Sequence, residues 1–131
     1  MSARTYLDSS ALVKLVIREG ESAALQRFLR RRKGPCTCAL ARVEVVRAAS
    51  AHGPEAVSRA RQVIEGVEML RLDDALLDAA GSLSQQRLRS LDAIHLAAAQ
   101  RLGGDLAVLV SYDERMLAAA RSLRIAVASP H

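Results

Sequence analysis

Aromatic residues and long apolar runs are scarce in this chain. Aromatic side chains make up only 2% of the 131 residues and tryptophan is absent, although half of the residues are hydrophobic. Alanine, leucine and valine must therefore build the core. No apolar run approaches the roughly 20 residues that a membrane-spanning helix needs. The N-terminal stretch lacks the apolar segment of a signal peptide, because Asp8 interrupts it. We expect a soluble, cytoplasmic protein that forms one domain over residues 1–131.

Cysteine is also rare, and its two copies lie close together. Cys36 and Cys38 are two residues apart in a short apolar stretch, so in a strand both side chains would point to the same face. A structural zinc site needs about four ligands, and the sequence has no second Cys or Cys/His pair to complete one. We therefore expect both thiols to pack in the core rather than serve redox or metal chemistry.

Acidic residues are outnumbered by basic ones, and lysine is nearly missing from the basic set. The formal net charge is +5, and 17 of the 19 basic residues are arginine. Arginine binds phosphate bidentately, so this bias is compatible with a nucleic-acid partner. A genome-wide preference for arginine over lysine would give the same composition. The arginine-rich run at residues 27–34 is typical of a solvated helix end, where the helix dipole favours cations.

Hydrophobic periodicity predicts strands that alternate with helices. Strands are expected at residues 5–7, 36–38, 67–72, 107–110 and 124–128. Helices are expected at residues 10–17, 23–32, 41–51, 55–65, from Asp73 or Asp74 to 83, 91–102 and 112–122. This alternation is typical of an α/β fold in which helices cover both faces of a parallel sheet.

Local signals refine these boundaries. Ser22 and Ser90 are expected to cap their helices, and Ser111 with Glu114 three residues later predicts a capping box. Pro54 suits the first turn of its helix. The Gly34-Pro35 pair is expected to end a helix before the next strand begins.

Four acidic residues lie inside or at the edge of apolar segments: Asp8, Glu44, Asp92 and Asp113. An ionised carboxylate is costly to remove from water unless something positive compensates it. A cluster of oxygen ligands without a neutralising lysine or arginine favours a divalent cation, most naturally Mg²⁺ or Mn²⁺.

The predicted scaffold brings these acids towards one place. Asp8 directly follows the first strand, Asp113 lies three residues past the strand at 107–110, and Glu44 opens the helix that follows residues 36–38. Ligand sites of open parallel sheets form beyond the carboxyl ends of the strands, so these three acids share one edge. Asp92 joins them if its helix starts there.

Each acid alone has a structural explanation. Asp92 and Asp113 would be ordinary partners of a helix dipole, and Asp8 could form an Asx-turn. Glu44 is harder to explain in this way, because its valine neighbours at 43, 45 and 46 indicate a buried segment. Together the four favour a site for one or two metal ions, where a water attacks a phosphate in line and one acid serves as base.

Other active sites are excluded by missing motifs. Ser10 stands where a phosphoaspartate phosphatase would place its second aspartate. The sequence contains neither a phosphate-binding G-x-x-x-x-G-K-[ST] loop nor the G-x-S-x-G turn of a serine hydrolase.

The segments Y-L-D-S-S-A-L-V-K-L, A-R-V-E-V-V-R-A, S-L-D-A-I-H-L-A and S-Y-D, in this order, resemble the PIN-domain ribonucleases, specifically the VapC-type toxins of toxin–antitoxin pairs. The resemblance covers essentially the whole chain. It implies a three-layer α/β/α sandwich with a central parallel sheet and an acidic pocket for Mg²⁺ or Mn²⁺. Asp8, Glu44, Asp92 and Asp113 match the family's catalytic, metal-binding quartet, and Ser9 or Ser10 matches its supporting hydroxyl residue. The resemblance also implies an RNA substrate, a cognate antitoxin protein, and a homodimer or a toxin–antitoxin hetero-oligomer.

Four further positions lie near the motifs. Some relatives carry a further acid after the last aspartate, whereas Glu114 is interpreted here as the partner of Ser111. His95 lies one helical turn after Asp92, and we expect it to be partly buried and hydrogen-bonded rather than a ligand. Arg42 and Arg115 are candidates for contacts with phosphate.

Two alternatives to a ribonuclease toxin stay open. One is a catalytically silent PIN-type module that binds RNA or protein, although retention of all four acids argues against it. The other is a nuclease that acts on DNA, which no helix-turn-helix or basic tail supports.

Overall fold

The computed structural model describes residues 3–85 and 87–131. Strands and helices alternate along the chain, as the periodicity predicted. In chain order the elements are β1 (Arg4–Leu7), α1 (Ser9–Val16), α2 (Ser22–Arg30), β2 (Lys33–Cys38), α3 (Ala41–Ser50), α4 (Pro54–Glu65), β3 (Glu68–Leu70), α5 (Asp74–Gly81), α6 (Ser90–Arg101), β4 (Leu106–Val110), α7 (Glu114–Ser122) and β5 (Val127–Ala128), with a 3₁₀ turn (Gly103–Asp105) before β4.

All five strands form one parallel sheet in the order β3-β2-β1-β4-β5. From the central β1 the chain first builds outwards through β2 and β3, and later returns to the other side of β1 with β4 and β5. The order therefore reverses between β1 and β4. A crevice at the carboxyl ends of the strands is expected at such a reversal.

Two apolar clusters cover the two faces of this sheet. One contains Tyr6, Leu96 and Met116 and packs α5, α6 and α7 against the sheet. The other contains Leu7 and Val45 and packs α1 to α4 against the opposite face. Because successive strand residues point to opposite faces, Tyr6 and Leu7 serve different layers. The three-layer α/β/α sandwich with a central parallel sheet is confirmed.

Cys36 and Cys38 are fully buried and unbridged. Both belong to the cluster beneath α5, α6 and α7, which confirms the prediction of core packing on one face of a strand. Burial raises the pKa of the Cys36 thiol to about 11, so this side chain stays protonated and unreactive at neutral pH.

β2 starts earlier than predicted, because Gly34 and Pro35 belong to it rather than ending a helix. Arg4 pairs with Lys33 and Thr5 with Pro35, so Gly34 is an extra, bulged residue. Its φ of +59° is easily reached only without a Cβ. β3 pairs with β2 only at residues 36–38, so the missing N–H of Pro35 costs no bond on that side.

The cap predictions are mixed. Asp73 accepts a hydrogen bond from the Leu76 amide at 2.8 Å and caps α5, and Pro54 opens α4 as expected. The caps assigned to Ser22 and Ser90 are wrong, because Glu21 and Arg89 occupy those positions. The Ser22 hydroxyl instead accepts from the Glu19 amide at 2.9 Å and closes the preceding turn.

Several predicted ends also shift by a few residues, as helix and strand termini commonly do. The last strand keeps only Val127–Ala128, and the strand predicted at residues 67–72 keeps only Glu68–Leu70. None of the helices among the described residues combines the length and apolarity that a bilayer crossing requires.

Candidate metal centre

Asp8 lies at the reversal point of the sheet. It follows β1 directly, and its backbone N–H donates to the Val110 carbonyl at the end of β4 at 3.2 Å. Its carboxylate also caps α1 by accepting from the Ala11 amide at 3.1 Å. The residue is only 3% exposed. The sheet therefore delivers one nearly buried carboxylate to the crevice where ligands are expected.

Two serine hydroxyls hold the Asp8 carboxylate. Ser10 Oγ donates to Oδ1 at 2.6 Å, and Ser111 Oγ donates to Oδ2 at 2.5 Å. In turn, Ser10 Oγ accepts from the Tyr112 amide at 2.9 Å, and Ser111 Oγ accepts from the Asp113 amide at 3.0 Å. Burial raises the pKa of Asp8, although the two hydroxyls act in the opposite direction. The loops after β1 and β4 are thus joined through one carboxylate.

Ser111 is a site residue that the sequence patterns missed, and the capping box with Glu114 is wrong. Asp113 caps α7 instead, by accepting from the Arg115 amide at 2.9 Å, and Glu114 is exposed. The predicted helix start at Tyr112 is accordingly two residues early. The one usable signal was a small hydroxyl residue immediately after an apolar parallel strand.

Glu44 lies in the first turn of α3 and is half-buried. Its Oε1 accepts from Ser9 Oγ at 2.6 Å and lies 2.8 Å from His95 Nε2. Burial alone would raise the pKa of Glu44, but the hydrogen bonds from His95 and Ser9 outweigh it and lower the pKa. Its neighbour Val43 is 56% exposed, so the interpretation of this whole segment as buried is wrong at that position.

His95 is buried, with 2% exposure, and contacts groups from four other elements. Nδ1 lies 2.8 Å from the Tyr6 hydroxyl and 3.7 Å from Cys38 Sγ, and Nε2 lies 3.1 Å from Ser9 Oγ. Burial opposes protonation of the imidazole, but the hydrogen bonds to Cys38 and Glu44 outweigh it and raise the pKa to about 10. His95 is hydrogen-bonded as expected, but it is fully rather than partly buried.

Asp92 lies in the first turn of α6, as required for it to join the other acids. Burial raises its pKa, and the negative charges of Asp113, Asp8 and Glu44 raise it further. An effect of this kind needs charges that lie near one another. Asp92 is therefore within electrostatic reach of the other three predicted acids, of which Asp113 caps α7.

Arg42 and Arg115, the predicted phosphate contacts, are both exposed. Arg115 borders a cleft of about 520 Å³ together with Arg87. Arg42 borders a smaller cleft of about 280 Å³ together with Arg61 and Glu65. Both arginines lie within two residues of a site acid, and their role stays a prediction.

The donor set fits a hard divalent cation, although its side chains are not arranged as a finished cage. Within residues 3–85 and 87–131, no three His, Cys, Asp or Glu side chains converge closely enough to hold an ion. Both oxygens of Asp8 accept hydrogen bonds from serine hydroxyls, and Glu44 Oε1 contacts Ser9 and His95. In the same residues no lysine or arginine pairs with any of the four acids. The raised pKa of Asp92 records the repulsion that a bound cation would relieve.

Comparison with known proteins agrees with this geometry. The sequence model of the PIN domain matches residues 5–122. Ribonuclease VapC46 of Mycobacterium tuberculosis is 52% identical over 128 residues, which cover 98% of each chain.

Solved structures share the fold at low sequence identity. VapC20 of Mycobacterium tuberculosis, a sarcin–ricin loop cleaving toxin, superimposes with a TM-score of 0.75 at 15% identity, covering 88% of this chain and 94% of that one. A toxin–antitoxin complex from Klebsiella pneumoniae gives a TM-score of 0.73 at 20% identity, with coverages of 97% and 98%. Fold, acidic crevice and sequence identity lead to one conclusion: the chain belongs to the PIN-domain family, in its VapC ribonuclease group, as its four acidic motifs predicted.

Proposed function

We propose that this protein is an Mg²⁺- or Mn²⁺-dependent endoribonuclease that acts as the toxin of a toxin–antitoxin pair. The observation that carries the proposal is the nearly buried Asp8 at the reversal point of a parallel sheet, with Asp92 near enough to the charges of Asp8, Glu44 and Asp113 for its pKa to rise. Among the described residues no lysine or arginine pairs with these acids, and His95 is the basic partner of Glu44. The 52% identity to a VapC ribonuclease over nearly the full chain supports the reaction class. On this proposal the chain is a single domain that acts in the cytoplasm, the compartment of its RNA substrate.

The cation would be held by Asp8, Glu44, Asp92 and Asp113. When bound, it would supply charge stabilisation for the scissile phosphate and a more acidic water. The chain's own residues supply orientation. Ser10 and Ser111 fix both oxygens of Asp8, so this carboxylate presents constant lone-pair directions to the crevice.

Asp92 is the proposed general base. A carboxylate accepts a proton from water more readily when its pKa is raised towards the working pH. Asp8 and Asp92 both have raised pKa values. Both oxygens of Asp8 already accept hydrogen bonds from serine hydroxyls. Asp92 is half-buried in the first turn of α6, so an oxygen that it does not give to the cation is the better placed to take the proton.

A basic groove along α2 supports RNA as the substrate. Arg27, Arg30 and Arg31 line a cleft of about 680 Å³ whose far wall is the C-terminal pair Pro130 and His131. The arginines are exposed, and none pairs with an acid within the described parts of the chain. Exposed arginines without acidic partners suit the phosphates of a flexible single strand.

Tyr112 connects this groove to the acidic crevice. Its hydroxyl donates to the Pro130 carbonyl at 2.6 Å, and its amide donates to Ser10 Oγ at 2.9 Å. Tyr112 therefore bridges Pro130, in the wall of the groove, and Ser10, which holds the Asp8 carboxylate. A strand bound along α2 would reach the crevice by passing this tyrosine, so the arginines would anchor RNA a few nucleotides from the cleavage point.

An antitoxin partner fits the apolar rim of the crevice. Val43 and Leu91 are 56% and 48% exposed, and each directly precedes a site acid in the sequence. An apolar segment with a basic side chain would cover both residues and neutralise the acids, which gives a physical basis for inhibition. The fold shared with a toxin–antitoxin complex supports this partner. Formation of a homodimer or a hetero-oligomer stays a prediction.

The experiment that tests the function is cleavage of total cellular RNA by the purified chain. We expect defined fragments with Mg²⁺ or Mn²⁺, none with EDTA, and none from the Asp92→Asn variant, while induced expression should arrest growth. Intact RNA under all conditions, together with harmless expression, would contradict the proposal. RNA binding that persists in EDTA without products would instead favour the silent binding module. Cleavage of a DNA strand of matched sequence, but not of the RNA, would favour the alternative of a nuclease that acts on DNA.

A further inference from the structure

We infer that His95 is a positioning residue, which holds one oxygen of Glu44 through Nε2 and is itself oriented by the Tyr6 hydroxyl through Nδ1. The inference rests on the proposed function, because it assigns Glu44 to the metal-binding carboxylates. His95 contacts one of these carboxylates but is not itself a proposed ligand of the cation.

The contacts use both ring nitrogens. Nε2 lies 2.8 Å from Glu44 Oε1, and Nδ1 lies 2.8 Å from the Tyr6 hydroxyl. The two rings meet edge to face at an interplanar angle of 75°. An ionised carboxylate only accepts hydrogen bonds, so Nε2 must carry a proton and donate it to Glu44. A ring fixed at both nitrogens and enclosed by the core has one available orientation.

The elements that bring these residues together are distant in sequence. Tyr6 belongs to β1, Glu44 to α3 and His95 to α6, and Tyr6 is fully buried beside His95. Two buried polar side chains, Tyr6 and His95, thus act in series to hold one half-buried carboxylate. A buried polar group without a partner is costly, so Tyr6 and His95 satisfy each other and leave one N–H for Glu44.

The contacts also select which oxygen of Glu44 remains for a cation. Ser9 and His95 both engage Oε1, so Oε2 is the oxygen that can face the crevice. Without His95, the Glu44 side chain would regain rotamers that turn this oxygen away. Partners that orient a metal-binding side chain commonly change metal affinity by about 10- to 100-fold when removed.

A purely structural histidine predicts a different outcome. In that case, loss of the ring would lower stability but leave the intrinsic affinity for a cation unchanged in molecules that stay folded. The test therefore measures Mn²⁺ binding to the intact protein without RNA, by calorimetry or electron spin resonance, at a temperature where unfolding curves show each variant folded.

His95→Leu removes the donor to Glu44, whereas His95→Gln places an amide N–H near the position of Nε2. We expect His95→Leu to weaken Mn²⁺ binding by about 10-fold or more and His95→Gln to restore most of the loss. Tyr6→Phe keeps the aromatic ring but leaves Nδ1 with only the weaker contact to Cys38 Sγ at 3.7 Å, and its affinity should fall between those of the wild type and His95→Leu. If His95→Leu does not fold, the comparison of Tyr6→Phe and His95→Gln with the wild type decides the matter.

The possible results separate this inference from the proposed function. Wild-type affinity in folded His95→Leu, or in Tyr6→Phe where His95→Leu does not fold, overturns the positioning role and leaves RNA cleavage intact. A wild-type protein that binds Mn²⁺ but cuts no RNA overturns the nuclease, while the affinities of the variants still decide the role of His95. A wild-type protein that binds no Mn²⁺ overturns both.

Discussion

Ser111 and Asp8, 103 residues apart in the chain, are joined by a hydrogen bond of 2.5 Å between the serine hydroxyl and Oδ2 of the aspartate. Both residues are nearly inaccessible to solvent. Because Ser111 follows β4 and Asp8 follows β1, this bond ties the two strands at the point where the sheet order reverses. Because of this bond, the position of the Asp8 carboxylate depends on the pairing of β4 with β1.

Removal of this bond should cost both stability and activity. Ser111→Ala leaves an oxygen of Asp8 and the Asp113 amide without their partner, and we expect the free energy of unfolding to fall by about 1–3 kcal/mol. Ser50→Ala is the matched control, because the Ser50 hydroxyl is exposed and, among the described residues, donates only to the Arg47 carbonyl. Urea unfolding of both variants checks the difference. Equal free energies of unfolding for the two variants would show that the Asp8–Ser111 bond makes no net contribution to stability.

Neutralising Asp8 should separate activity from stability. Asp8→Asn keeps the shape of the side chain but removes its charge, so RNA cleavage should fall on the order of 100-fold or more. Burial raises the pKa of Asp8, which means that its ionised form is disfavoured in the folded protein. The amide NH₂ of asparagine cannot accept a hydrogen bond, so one serine hydroxyl loses its acceptor. In EDTA at pH 7 the removal of the buried charge should offset this loss, so the variant should be about as stable as the wild type. A large drop in melting temperature would show that the charge is already compensated without metal.

The basic groove should contribute affinity rather than chemistry. Arg30→Gln with Arg31→Gln should raise KM for RNA while kcat stays nearly constant, because these side chains would touch phosphates away from the cleavage point. If each contacts one phosphate, the slope of log affinity against log salt should shrink by about 1.4, since a single strand releases about 0.7 counterion per contact.

The matched control for that variant is Arg47→Gln with Arg121→Gln, which removes the same charge from exposed positions on α3 and α7. A uniform effect of net charge would weaken RNA binding equally in both double variants. That result would contradict a binding track along α2. A fall in kcat without a change in KM would contradict it as well.

The apolar rim should matter for inhibition but not for cleavage. Val43→Ser with Leu91→Ser removes the two exposed apolar side chains next to Glu44 and Asp92, and we expect binding of the antitoxin encoded beside this gene to weaken about 10-fold or more. Leu77→Ser is the control, because Leu77 is also exposed, at 41%, but lies on α5. Equal antitoxin affinity in the two variants, measured by calorimetry, would place the contact elsewhere.

The sequence predicted the scaffold and the four acids because both depend on local pattern. Alternating apolar segments identify the strands, and Asp8, Glu44, Asp92 and Asp113 stand out as charges in apolar surroundings. The partners of those acids could not be predicted in the same way. A serine before a helix has a local choice, the amide three residues on, and a distant one. Ser111 does both in part: its hydroxyl donates to the distant Asp8 and accepts from the Asp113 amide, two residues on rather than three. Asp113 is then the residue that caps α7.

Two other differences have equally specific causes. Val43 looks buried in sequence because valines flank Glu44 on both sides. In the helix Val45 is buried and Val46 partly buried, whereas Val43 faces solvent. Gly34 and Pro35 look like a break, yet a bulge places both within β2. In each case the pairing of distant segments, which sequence periodicity does not report, decides the outcome.

The absence of tryptophan has a practical consequence for spectroscopy. Tyr6 and Tyr112 are the only tyrosines in the sequence. One touches His95 at 2.8 Å inside the crevice, and the other bonds to Pro130 at 2.6 Å beside the arginine groove. The ultraviolet emission of the unlabelled chain therefore comes almost entirely from two phenols, one beneath the carboxylates and one on the path of the substrate. Ligand titrations can follow both places by intrinsic fluorescence, and Tyr6→Phe separates their signals.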